Sequence, residues 1–170
     1  STRYLRQINL DSMTADWSVA NGLYDLQLTA ETDAKVFAYL NQGSIGFVRS
    51  FSKVGGSTTD IAPPAGYTGS GSHTASSCAV SGTELIIPIK EISTGTVKLA
   101  IVSESATSIL AGDIVGNHPM ESVAGSPVYS TFVRSLLINN IVYMFCADIS
   151  NTRKYICKLN TDGSLIENIY

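Results

Sequence analysis

Two histidines, fourteen carboxylates, three cysteines and one tryptophan hold most of the chemistry open to this chain. A Ser-His-Asp centre needs a histidine oriented by a carboxylate beside an activated serine. His73 lies among serines in "GSGSHTASS", but serine is abundant along the whole chain and no G-x-S-x-G elbow occurs. Asp16, Asp25, Glu31, Asp33, Glu84, Glu91 and Glu104 are scattered singly. A glycosidase needs two carboxylates held across a cleft, and spacing along the chain does not pair these. They are expected as solvated surface charge. Cys78, Cys146 and Cys157 contain no C-x-x-C pair, which argues against a thiolate zinc site. "LNTDGSL", from Leu159 to Leu165, has the Asp and Gly of a calcium loop without its twelve-residue ligand set. It reads as a tight turn. The expectation is therefore no catalytic set, no metal site and no cofactor, with an enzyme less favoured than a binding module.

"GDIVGNH", Gly112 to His118, gathers Asp113, Asn117 and His118. A paired-metal phosphoesterase draws such ligands from separate strand ends, which residues this close cannot occupy. Asp113, Asn117 and Pro119 read as turn formers. Binding without catalysis favours exposed aromatic and neutral polar groups on loops held by a rigid scaffold. Trp17 beside Asp16, Tyr67 in a Gly/Ser-rich stretch, His73 and His118 are the candidates for that role. Against it, Trp17 fits an ordinary core or interface aromatic, and each histidine fits a solvated loop side chain.

The elements that would hold these residues read as strands. "IVYMFCA" and "VKLAIV" are short, β-branched and aromatic, and bounded by turn residues. "CAVSGTELIIPI" carries Pro88, which points to an edge or a bulge. "TAETDAKVFAYLNQG" has a helix-capping Thr29, but Val36, Phe37 and Tyr39 favour a strand. Asn21-Gly22, Ser81-Gly82 and Asn139-Asn140 are two-residue hairpin signals, since these types tolerate positive φ. Second turns follow at "AETDAK", "ISTGTVK" and "ISNTRK". The reading is a single all-β domain over residues 1–170, built from antiparallel meanders. Its expected core comprises Leu26, Leu28, Ile87, Leu99, Ile101, Tyr143, Phe145 and Ile156. A Gly/Ser/Thr/Pro-rich stretch at 53–77 is expected as one long exposed loop.

A turn at Asn151-Thr152 would set Cys146 opposite Cys157, with Cα atoms about 5.5 Å apart. Reduced, half-buried cysteines are the favoured reading. Charged residues are 15% of the chain, against roughly 25% in average globular proteins. The surface is thus built largely from Ser, Thr, Asn and Gly. With a net charge of −3 and single, scattered Lys and Arg, no basic face for nucleic acid is expected. No apolar run approaches the roughly 18 residues that span a bilayer. The start, STRYLRQINL, has no apolar signal-peptide region.

Aligning Asn140 with Asn21 also aligns Tyr143 with Tyr24, Lys154 with Lys35, and Leu159-Asn160 with Leu40-Asn41. The shared unit, an apolar residue, a turn, "LY" or its equivalent, then K-V-x-x-x-L-N-x-G-S-I as the first copy spells it, resembles a blade of a β-propeller. The resemblance covers Trp17 to Ile45 and Ser135 to Ile166, and more loosely Cys78 to Val102. It implies three blade-like repeats. An ordinary propeller closes with four to eight, so the resemblance implies a larger parent chain or self-association. A β-sandwich or jelly roll is the alternative; the Q-x-W signals of a β-trefoil are missing. The polar, low-charge texture is similar to β domains of phage tail fibres and other virion attachment proteins. That implies a non-catalytic module on a virion fibre or cell surface, binding a glycan or protein receptor and associating as a homo-oligomer. A carboxylate-based polysaccharide hydrolase and a structural assembly module are the other two readings.

Overall fold

The computed structural model describes residues 4–20, 25–42, 45–69, 77–119, 134–147 and 154–169. The chain is all-β, and the described residues form three sheets, none closed into a barrel. A small sheet pairs β1 (Tyr4–Ile8) with β2 (Ala15–Ala20). A large sheet holds β3 (Asp25–Glu31), β4 (Lys35–Gln42), β5 (Ile45–Ser52), β6 (Thr58–Ile61), β7 (Tyr67–Gly69), β8 (Cys78–Ala79), β9 (Glu84–Glu91), β10 (Val97–Ser103) and β11 (Ile114–Asn117). Its order is β11-β10-β9-β7-β5-β4-β3, with β6 beside β5 and β8 beside β9. The third sheet is the meander β12 (Arg134–Ile138), β13 (Ile141–Ala147), β14 (Lys154–Asn160) and β15 (Leu165–Ile169). All described strand pairs are antiparallel. A parallel bridge joins Ala62 to Ser108.

Turn chemistry sets the hairpins. Asn139 and Asn140 both take positive φ, 51° and 61°, and Ile138 pairs with Ile141 across them. That is the type I′ geometry whose twist matches flanking strands. The β9–β10 turn closes with Glu91 N–H on Thr96 O, and Gly95 takes φ 76°. The β14–β15 turn is the tight turn expected of "LNTDGSL": Asp162 accepts from both N–H and hydroxyl of Ser164. "AETDAK" turns β3 into β4, as a strand rather than a helix. Asn21-Gly22 lies outside the described residues, and its flanking strands β2 and β3 belong to different sheets.

Two apolar clusters hold the layers together. Val142, Met144, Tyr155, Cys157 and Leu159 of the third sheet pack on Ile86, Val97 and Leu99, with Cys78 and Val80. The opposite side of the large sheet gathers Phe37, Val48, Ile61, Leu85, Ile87, Ile89, Ala100, Val102 and Ile109. β9 is therefore buried on both faces, which explains its unbroken apolar run. Each such side chain contributes about 1.5–3 kcal/mol on burial. Pro88 is internal to the sheet, not at its edge. It falls between the residues that pair with β8 and those that pair with β7, where no ladder continues on that side.

Several expectations need correction. Ile87 and Leu99 are buried and Ile101 packs against the first cluster, but Phe145 is exposed and Tyr143 and Ile156 are only partly buried. The core face of β13 and β14 is the other one. A one-residue change of parity moves a strand's whole apolar set to the opposite face. Side chains of Leu26 and Leu28 lie outside the described residues. Cys146 pairs with Tyr155, and Cys157 with Met144, because the connection spans 148–153 rather than two residues. Cys78 and Cys157 are buried, reduced thiols. The stretch 53–77 is not one loop: β6 and β7 lie in it, and β7 joins β5 to β9. That junction fuses the first two expected repeats into one sheet, so separate blade-like repeats are not confirmed.

Candidate functional site

The small sheet folds one face against the start of β4 and the turn after β5. Leu5, Gln7, Trp17 and Val19 share that face by register, with Gln7 opposite Trp17 and Leu5 opposite Val19. Arg6 alternates to the other face, where its Nε donates to Ser18 Oγ and its guanidinium lies 5.4 Å from the Tyr4 ring centre. The turn after β5 is held by Ser52 N–H on Ser57 O and Gly56 N–H on Ser52 O. Gly55 and Gly56 both take positive φ, 75° and 68°. Lys53 N–H donates to Ala34 O, tying this turn to the β3–β4 turn.

Trp17 sits where these pieces meet. Its Nε1–H donates to Gln7 Oε1 at 2.6 Å and to Lys53 O at 3.0 Å. A Cβ on Gly56 would fall 2.8 Å from Trp17 Cε3, 2.9 Å from Cδ2 and 2.9 Å from Val19 Cγ2. The indole thus lies directly on a glycine backbone that admits no side chain. Beside it opens a cleft of about 340 Å³, lined by Leu5, Arg6, Gln7, Trp17, Glu31, Val36 and Lys53. Small-molecule sites are typically about 300–1,000 Å³ and mostly apolar with a few placed polar groups. Lys53 Nζ lies 2.6 Å from Glu31 Oε1 and donates to Thr32 O at 2.6 Å. Thr32 is itself fixed by its hydroxyl on Glu104 Oε2 at 2.5 Å.

Four residues were singled out from sequence; of the three that are described, Trp17 alone lines this cleft. Tyr67, in β7, is partly buried and packs on the second apolar cluster. His73 lies outside the described residues. His118 is fully buried, with its N–H on Val97 O at 2.7 Å, so a ligand cannot reach it as an exposed loop residue. The chain holds it inside because β11 runs along β10 up to that point. Asp113 does form a turn, its carboxylate accepting from Leu110 N–H. Asn117 instead ends β11 and accepts from Lys98. Gln7, Glu31, Lys53 and Gly56 carried no signal as a group. The Gly-Gly pair at 55–56 was the one local mark of an unusual backbone.

Burial pushes the Tyr39 phenol and the Cys78 thiol up from their ordinary values; a hydrogen bond with Ser135 works against the rise at Cys78. Neither lines the cleft. Among the described residues no three His, Cys, Asp or Glu side chains gather to hold a metal. Among the described residues no helix is long and apolar enough to cross a membrane. No protein-family model, curated protein or solved structure matches the chain.

Proposed function

We propose that this chain is a non-catalytic recognition module that binds a receptor glycan in the Trp17 cleft, on a virion fibre or other external surface. The observation that carries the reading is the partly buried Trp17 lining an open cleft beside Gln7, Glu31 and Lys53. An indole offers a broad apolar face with a negative quadrupole, which suits the polarised C–H groups on one side of a sugar ring. Amide and carboxylate groups at its rim suit the hydroxyls. Glu31 is the one carboxylate of the lining and is paired to Lys53. A hydrolase needs two across the scissile bond, so binding fits this cleft better than cleavage. The external setting rests on the low charge and the Ser/Thr/Gly-rich surface. Single sugar contacts are weak, and a fibre would gain by multivalency.

The test uses the protein's sole tryptophan. Glycans found with a trimerised form on an array are titrated into the monomer while Trp17 emission is followed. Saturable change in emission supports the reading. Array-positive glycans that leave the emission unchanged place binding elsewhere.

A second reading, assembly through the third sheet, has its own observation. The outer face of that sheet presents Leu136, Ile138, Phe145 and Ile169, each 38–51% exposed, around partly buried Tyr143 and Ile156. At its centre Lys158 pairs with Glu167 and lies over Tyr143, so the charges there are internally satisfied. A neutral-centred apolar face fits the same face of a second copy, in a two-fold contact.

A further inference from the structure

We infer that the sugar held in the Trp17 cleft carries a carboxylate, which Arg6 receives end-on through its two Nη groups. The inference rests on the glycan reading above and names its ligand class, a uronic or sialic acid.

The charges that line the cleft do not cancel. They are two cations, Arg6 and Lys53, and one carboxylate, Glu31. Lys53 and Glu31 answer each other at 2.6 Å. Arg6 is left over: among the described residues no carboxylate pairs with it, Asp16 on the neighbouring strand included. Its side chain is nonetheless held. Nε donates to Ser18 Oγ at 3.3 Å, and the guanidinium lies 5.4 Å from the Tyr4 ring centre. Both contacts orient the group and neither neutralises it. The Ser18 bond also decides which edge of the guanidinium is open. A carboxylate docks either across Nε and one Nη or across both Nη groups. With Nε given to Ser18, the second edge remains, and no described protein group accepts from it.

The other polar groups suit a sugar's hydroxyls. Trp17 Nε1 can only donate, so the Gln7 atom facing it is the carbonyl oxygen. That bond fixes the Gln7 side chain and leaves the two hydrogens of its Nε2 to give to sugar oxygens. Glu31 Oε2 has no protein donor among the described residues, and the side chain is 68% exposed, so it accepts from a hydroxyl. Arg6 alternates with Gln7 along β1, away from the face that carries Trp17. A ring stacked on the indole therefore reaches Arg6 through a substituent. An exocyclic carboxylate is such a substituent in both uronic and sialic acids. Lys53 stands against Glu31 and damps its repulsion of that group.

The test titrates methyl glucuronide and a methyl sialoside into the intact protein, each beside its own carboxamide, which removes the charge and keeps the shape. Trp17 emission and ligand-observed NMR read the binding. At least one acid is expected to bind about three- to fivefold tighter than its amide, the scale of an exposed ion pair. That excess should shrink as salt rises from about 0.05 to about 0.5 M. Arg6→Gln is expected to bring the acid-to-amide ratio to about one, with its thermal midpoint checked alongside. The acid that shows the excess identifies the source of the carboxylate. Amides that bind as well as both acids overturn the inference and leave glycan binding standing. An excess that persists in well-folded Arg6→Gln, or that ignores salt, also overturns it. If Arg6→Gln does not fold, the ratio and its salt dependence in the unaltered protein decide. If none of the four ligands moves the emission or shows NMR contact, the cleft reading and this inference fall together.

Discussion

Substituting Gly56 with Ala probes the support beneath the indole. Two effects act there. The backbone at Gly56 has φ 68°, a left-handed conformation that costs a residue with a Cβ about 1–2 kcal/mol. The new methyl would also stand 2.8 Å from Trp17 Cε3 and 2.9 Å from Cδ2 and from Val19 Cγ2. Overpacking of this kind typically costs about 1–3 kcal/mol. The sum is about 2–5 kcal/mol. Gly55 supplies the control, because its φ is 75° but nothing lies within 4 Å of its Cβ position. Gly55→Ala should lose only the backbone part, about 1–2 kcal/mol. Urea unfolding followed by Trp17 emission measures both. With a slope of roughly 2 kcal/mol per molar urea, Gly56→Ala should lower the midpoint by about 1–2.5 M and Gly55→Ala by about 0.5–1 M. The native emission of Gly56→Ala should also shift, since a displaced indole loses its bonds to Gln7 and Lys53 O. Equal destabilisation by the two variants, with unchanged native emission, would refute the placement of Trp17 on Gly56.

Three further outcomes follow from other parts of the fold. Asn140 takes φ 61° in a type I′ turn, so Asn140→Gly should stabilise by about 0.5 kcal/mol in thermal unfolding, whereas Asn140→Val should destabilise by more than 1 kcal/mol, at about the cost of a strained left-handed residue. Burial raises the folded pKa of the Cys78 thiol, so the folded state holds a proton that the unfolded chain has released; stability should fall as pH rises above the ordinary thiol value, and Cys78→Ala should flatten that alkaline slope in pH-dependent urea melts. Sedimentation of the protein should show reversible self-association that Leu136→Ser with Phe145→Ser abolishes without lowering the thermal midpoint by more than a few degrees.

The all-β character was legible because turn residues and β-branched runs alternate along the chain, and the Asn139-Asn140, "ISTGTVK" and "LNTDGSL" turns appear as their chemistry implies. Strand parity in the third sheet was not legible. β13 alternates Ile141, Tyr143 and Phe145 with Val142 and Met144, so both faces are apolar and periodicity cannot choose between them. Packing on the large sheet decided it: Val142 and Met144 face Ile86, Val97 and Leu99. The connection over 148–153 shifts the pairing by two residues, which sets Met144, not Cys146, opposite Cys157 and leaves the faces unchanged. β6 and β7 were hidden for a different reason. "TTDI" and "YTG" have little strand signal of their own and are strands because β5 and β9 offer them backbone partners. The cleft joins residues from β1, β2, β3, β4 and the turn after β5. Composition marked Trp17, but only the docking of the small sheet brings Gln7, Glu31 and Lys53 to it.

The most direct measurement of the central claim is a crystal structure of the protein with the best-binding oligosaccharide. The account predicts one pyranose ring stacked about 4 Å from the Trp17 indole, with hydroxyls within hydrogen-bond reach of Gln7 Nε2 and Glu31 Oε2. A sugar bound at another surface, with the Trp17 cleft holding none, would contradict it.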